Sequence, residues 1–281
     1  MSAGTQITPS RFDPDKLRLL VRVGVFVLLV ILGRVVFPTL MQGLGLPLVV
    51  SALSAFATGA LANAVVARGW ERGQLSDFGL GWTAASGREL LTGIALGAGG
   101  AALIVLVAVV SGMANFASVP LAERAWGGIP ILMVVLLFGS VGEELMFHGY
   151  AFQHLVRHMG EFATVLPVGI VFGLMHLGNQ NVTLLAVVNT IAWGVLLGYA
   201  YLRTRTLWLP IGMHFGWNAA TPFLGENLSG FTIAVTGYEL HWRTGVLWSG
   251  GVYGLEGGLF TTFVVAGLFV ALYRVIPQRG G

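Results

Sequence analysis

IPILMVVLLFGSVGEELMFHGY, residues Ile129–Tyr150, is apolar enough to cross a bilayer yet carries two adjacent glutamates, Glu143 and Glu144. An ionisable side chain at membrane depth costs roughly 2.5–3.5 kcal/mol on insertion scales. Neighbouring carboxylates also repel each other. A chain that keeps such a pair has a use for it, so these residues mark the first place to look for chemistry.

The rest of the chain shares that apolar setting. Hydrophobic residues make up 56% of the 281 and charged residues 10%, where a soluble domain is nearer a quarter charged. Mean hydropathy is +0.81. Windows of about 20 apolar residues predict an all-α, polytopic membrane helix bundle of about eight spans: 18–40, 45–67, 89–112, 129–153, 162–178, 182–202, 206–224 and 258–276. The expectation is a single membrane domain over 1–281, with a catalytic core at 129–224 and an outward, glycine-rich loop at 225–257. The first apolar stretch is too long for a signal h-region and lacks a small-x-small cleavage site, which predicts a retained anchor. Residues 69–88, with Trp70 and Trp82, read as an interfacial stretch.

Charge placement tests the map independently. With the N-terminus inside, twelve Lys and Arg side chains fall on the cytoplasmic side, and only Arg34, Arg124 and Arg243 fall elsewhere. That positive-inside bias predicts cytoplasmic termini, with Arg34 snorkelling from the outer half of the first span. The net charge of +3 reflects arginines flanking spans and does not imply nucleic acid. There are no cysteines, which excludes disulfides, Cys-ligated zinc and thiol nucleophiles.

Besides the two glutamates, the spans contain His148, His176, His214 and Asn218. Glu144 and His148 are four apart, so they share a helix face. His214 and Asn218 repeat that spacing, as do Phe172 and His176. Glu143 is turned about 100° from Glu144, so the two carboxylates have different surroundings. Such a set supports hydrolysis. A buried carboxylate takes a proton from water and later hands it to a leaving amine, while imidazole and carboxamide donors stabilise an oxyanion. No GxSxG motif accompanies them. Each residue also has a structural reading: His176 and His214 as packing residues, Asn218 and Asn189 as interhelical hydrogen-bonding groups, Phe172 as packing and His148 as a plain partner for Glu144.

EELMFHGY (143–150), FGLMH (172–176) and HFGWN (214–218) resemble, in order, the EExxxR, FxxxH and HxxxN signatures of the CPBP family. These are the CAAX protease and bacteriocin-processing, or Abi, intramembrane proteases. The resemblance runs over about 139–222, and GLEGG at 254–258 is similar to the tail of many bacterial members. It implies that Glu143 is the general base activating water and Glu144 its partner. It further implies that His176 and His214 are catalytic or water-binding, that Asn218 is an oxyanion donor, and that His148 and Phe172 support them. The implied function is an endopeptidase of the bacterial inner membrane that works through glutamate-activated water. It would cleave a membrane-associated peptide or protein, CAAX-like, lipidated or of bacteriocin type, from the cytoplasmic side.

One position departs from the pattern, with His148 where the family has Arg. Histidine is charged only part of the time near neutral pH, so activity is expected to fall with rising pH more steeply than in an Arg-bearing version. No cofactor is expected, with zinc as the alternative because family members are often labelled metalloproteases; HExxH is missing. A non-catalytic membrane protein, either a proton-coupled transporter or a regulatory binding partner, is the other reading. Against the transporter stands the lack of inverted repeats between the halves.

Overall fold

The computed structural model describes residues 14–118 and 128–277. Its long elements are α1 (Pro14–Met41), α2 (Pro47–Val66), α3 (Ser86–Val110), α4 (Ile129–His148), α5 (Tyr150–Met159), α6 (Glu161–Met175), α7 (Leu184–Thr204), α8 (Trp208–Phe223) and α10 (Leu259–Val275). Two short strands, β1 (Ala114–Ser118) and β2 (Tyr238–Trp242), pair antiparallel at one end, beside the one-turn helix α9 (Val246–Ser249). Among the described residues, six helical stretches are long and apolar enough to cross a membrane, and α10 is a shorter apolar helix of 17 residues. The helix α8, 16 residues long, is more amphipathic and largely interior. Each of the eight expected spans has its helix, and Arg11, Arg124 and Arg279 of the charge map lie outside the described residues.

Glycine seams decide which helices touch. Helix surfaces in lipid gain no hydrophobic energy from one another, so close backbone approach through small residues supplies the packing. A Cβ on Gly97 of α3 would stand 2.0 Å from the Met213 carbonyl of α8, and one on Gly212 would stand 2.3 Å from the Leu90 carbonyl. Between α2 and α4, a Cβ on Gly59 would lie 2.5 Å from the Gly142 oxygen, and one on Gly142 would lie 2.3 Å from Phe56 N. Between α6 and α7, Gly173 and Gly194 make equally close passes. Thus α4, α6 and α8, the three helices with functional side chains, are each clamped to a neighbour.

The expected span 129–153 ends early. Backbone dihedrals at Gly149 leave the helical region, and the chain restarts as α5. Inside a membrane the freed backbone groups need partners, and Asn63 of α2 supplies them. Its amide donates to the Leu145 carbonyl (2.8 Å) and its oxygen accepts from Tyr150 N–H (2.8 Å). Hydropathy alone does not reveal such a break, because Tyr150, Ala151 and Phe152 extend the apolar stretch past it before α5 turns amphipathic. The kink makes His148 the last residue of α4.

Residues 69–88 close the cationic end, where Gln153 donates to Phe78 O, Leu207 N–H to Gly79 O, and Trp208 Nε1 to Gly81 O. Trp82 is 66% exposed beside Trp208, as an interfacial residue should be.

The segment 225–257 is more than a loop. It holds β2, α9 and two 3-10 turns, and residues 253–258 are buried to the last one. Asn189 of α7 donates to the Glu256 and Gly258 carbonyls (2.8 and 2.9 Å) and accepts from Thr262, so it fastens this turn as well as the adjoining helix. Gly254 sits at φ +105°, where a Cβ would be 2.0 Å from Asn227 O. The GLEGG turn is therefore a fixed plug.

Burial pushes the Glu226 carboxyl of this segment up from an ordinary 4.5 to about 8, against the Trp242 indole N–H that donates to it (2.6 Å) and with repulsion from Glu256 adding to it. Between those values the folded chain holds a proton that the unfolded chain has released. This stabilisation is fully present below about pH 4.5 and lost as pH rises through about 8. The unfolding temperature of the wild type in detergent is expected to fall over that window more steeply than that of Glu226→Gln. Parallel curves would remove this role.

Candidate active site

The end of α4 presents its two carboxylates to different partners, as their 100° offset requires. Glu144 is fully buried and saturated. His148 Nδ1–H donates to Oε2 (2.7 Å) and His214 Nδ1–H to Oε1 (2.9 Å). Glu143 is 23% exposed and its Oε2 has no hydrogen-bond partner among the described residues. Two imidazole nitrogens face that atom, His214 Nε2 at 3.7 Å and His176 Nε2 at 3.9 Å.

The rings are held by their other nitrogens. His214 is oriented by Glu144. His176, just past the C-terminal end of α6, donates from Nδ1 to the Phe172 carbonyl (2.7 Å). Both Nε2 atoms are therefore directed at Glu143. The separations exceed a direct hydrogen bond and suit a small group shared among the three.

A half-enclosed cavity of about 130 Å³ opens on this cluster. Glu143, His176, His214 and Asn218 line it together. Asn218 is half-buried and makes no hydrogen bond to a described residue, which leaves its amide to the cavity. Glu144 stands behind the wall and acts on His214. Phe172 is 3% exposed, rings Phe147 edge-on and contacts both His176 and His214. It packs, and its carbonyl orients His176.

The reading of His148 changes with the structure. His148 is fully buried, with Phe152 edge-on, and a Cβ on Gly198 would lie 3.3 Å from its Nε2. That nitrogen has no hydrogen-bond partner among the described residues. Glu144 has a second imidazole, His214, in place of a bidentate clamp, so the expected pH sensitivity no longer depends on His148 alone.

Two cavity residues escaped the motif reading. Glu256, from the plugging turn, accepts from Trp217 Nε1 (3.1 Å), Ser229 N (3.0 Å) and Ser229 Oγ (3.2 Å). Burial raises its carboxyl above the ordinary range, opposed by those donors and by the His176 charge. GLEGG was the signal for it, visible as a tail but not as part of the site. The other is Arg34 of α1, which lines the cavity instead of serving only as a snorkelling residue.

Among the described residues, no group of three His, Cys, Asp or Glu side chains is placed to hold a metal ion. Glu144 and both of its imidazole Nδ1 atoms are committed to one another.

No curated protein and no solved structure matches the chain. Residues 125–220, about a third of it, match the family model described as type II CAAX prenyl endopeptidase Rce1-like. That stretch contains EELMFHGY, FGLMH and HFGWN, with both carboxylates, the three imidazoles and the Asn218 amide. Over that stretch the chain is similar to the Rce1-like type II CAAX prenyl endopeptidases.

Proposed function

We propose that the chain hydrolyses a peptide bond of a membrane-associated substrate with water activated by Glu143. The observation that carries this is the unpartnered Glu143 Oε2 facing two oriented imidazole Nε2 atoms across a cavity. Water held there gives its proton to Glu143 while its oxygen bonds to the substrate carbonyl carbon. Asn218 donates to the developing oxyanion, joined by an imidazole Nε2–H when that ring is doubly protonated, because each Nδ1–H is already committed to Glu144 or the Phe172 carbonyl. Each such donor is worth about 2.7–4 kcal/mol. As the C–N bond breaks, the proton passes from Glu143 to the leaving amine. Glu144 fixes the tautomer of His214 throughout.

The test is the full chain in detergent or liposomes with a membrane-anchored peptide, followed by mass spectrometry of the products. Cleavage is expected to persist after exhaustive chelation and dialysis. Stoichiometric zinc in the protein, with activity lost on chelation and restored by zinc, would instead make this a metalloprotease. Proton-coupled solute uptake without any cleavage would favour the transporter reading.

We further propose that the cavity faces away from the cytoplasm, in contrast to the cytoplasmic access that the resemblance implies. Its lining comes from the end of α1, the start of α2 and the plugging turn. Lys16, Arg18, Arg22, Arg68, Arg72 and Arg88 cluster at the opposite end, which the positive-inside bias assigns to the cytoplasm. The absence of cysteine makes this simple to check in intact cells with a membrane-impermeant maleimide. Ala234→Cys should label without permeabilisation and Gly69→Cys only after it. The reverse pattern would turn the molecule over.

A further inference from the structure

The cavity wall holds a hydrogen-bond donor that the hydrolytic reaction does not use. Trp193 of α7 is 6% exposed and lines the cavity with Glu143, His176, His214 and Asn218. The next residue fixes its level, because a Cβ on Gly194 would stand 2.8 Å from the Phe172 Cβ. Phe172 in turn contacts both imidazoles. The Trp193 ring packs against that of Trp217, with centroids 5.0 Å apart, and the two indoles differ in one respect. Trp217 Nε1–H donates to Glu256 Oε1 (3.1 Å), whereas Trp193 Nε1 is buried with no hydrogen-bond partner among the described residues. Glu256 is already shared among Trp217 and both donors of Ser229.

Buried polar groups are nearly always paired, and an unpaired one calls for an explanation. An indole N–H only donates, so what completes it is an acceptor. Among the buried, unpartnered polar atoms of the described residues, two belong to cavity-lining side chains, Glu143 Oε2 and Trp193 Nε1. The first is left to water. We infer that the second donates to a backbone carbonyl of the peptide substrate flanking the scissile one, and so positions the chain along α7. This rests on the proteolytic reading above and adds a positioning residue to it. Trp217 precedes Asn218 in α8, so the Trp193 ring stands beside the helix that carries the oxyanion donor. Packed helices lie about 8–10 Å apart, and an extended chain advances about 3.3 Å per residue. The carbonyl within reach is therefore two or three residues from the cut. Its hydrogen bond is the same before and during the chemical step, so it acts on binding and not on turnover.

The experiment removes the N–H without removing the ring. Trp193→benzothienylalanine, introduced through an expanded genetic code, keeps the fused-ring shape with sulfur in place of N–H, and Trp193→Phe accompanies it. For cleavage of a membrane-anchored peptide, KM is expected to rise about threefold to tenfold in both, the worth of one hydrogen bond, with kcat unchanged. The sulfur variant should melt no lower than wild type, since the free protein loses no bond. A lower melting temperature, or failure to fold, would reveal an acceptor inside the protein and overturn the proposal. A fall in kcat with KM unchanged would make Trp193 an oxyanion donor and overturn it too. Unchanged kinetics would do the same while leaving proteolysis intact.

A second arm needs no turnover. The Glu143→Gln protein in nanodiscs binds the same peptide with one amide at a time replaced by a thioamide, whose sulfur is the weaker acceptor. At one flanking position Kd should rise about threefold to tenfold. That loss should vanish when Trp193→Phe is added, as a double-mutant cycle requires of a direct contact. A loss that survives the Trp193 change, or no loss at any position, overturns the inference. If the cycle shows coupling while no form of the protein cleaves, the indole site stands and the proteolytic reading falls. Cleavage by the wild type without coupling at any position leaves proteolysis standing and removes the role of Trp193.

Discussion

Replacing Glu143 by glutamine is expected to lower kcat for peptide cleavage by about 10²–10⁴-fold, the usual contribution of a general base. The amide has the shape of the carboxylate but takes no proton from water. Folding should be indifferent to the change. Glu143 is partly exposed and its Oε2 makes no hydrogen bond to a described residue, so no described partner of that atom is orphaned. An unchanged elution profile and melting curve beside lost cleavage is the expected result. Unimpaired cleavage would remove Glu143 from the mechanism, and a collapsed elution profile would make the residue structural.

Glu144→Gln is expected to cost as much activity for a different reason. Both carboxylate oxygens accept from an imidazole Nδ1–H. A glutamine offers one acceptor and one N–H₂ group, so one imidazole meets a donor and must change tautomer or turn. If His214 is the one that changes, its Nε2 no longer faces Glu143 in the same protonation state. A carboxylate that holds a catalytic imidazole in this way contributes up to roughly 10⁴ in kcat in a serine-protease triad. Here stability should fall too, by about 1–3 kcal/mol, because a buried polar group is left unsatisfied. The Glu143→Gln, Glu144→Gln double variant should be no slower than the worse single variant, since the residues act as a unit. A Glu144→Gln protein within tenfold of wild type, with unchanged melting, would contradict the assignment.

Much of this arrangement was legible in the sequence because lipid makes polar residues conspicuous. Glu143, Glu144, His176, His214 and Asn218 stand out from apolar runs, and i, i+4 spacing already paired Glu144 with His148. The spacing could not show that His214, seventy residues on, supplies the second donor to Glu144. That contact depends on the α3–α8 and α2–α4 glycine seams, and abundant glycine does not announce its partner. The kink at Gly149 was hidden because Asn63, from another helix, repairs the broken backbone. Arg34 and Glu256 were missed as site residues because they come from α1 and from a turn after α9, far from any motif. The turn at 254–258 read as an open loop because glycine signals flexibility in sequence, whereas here Gly254 permits a buried, tightly packed turn.

The most direct test is the density between three atoms. A structure of the wild type in lipid nanodiscs, at a resolution that shows ordered water, should place one water about 2.8 Å from each of Glu143 Oε2, His176 Nε2 and His214 Nε2, with Asn218 facing the same cavity. Glu143 paired directly to an imidazole with no space for water, or turned out toward acyl chains, would contradict the account.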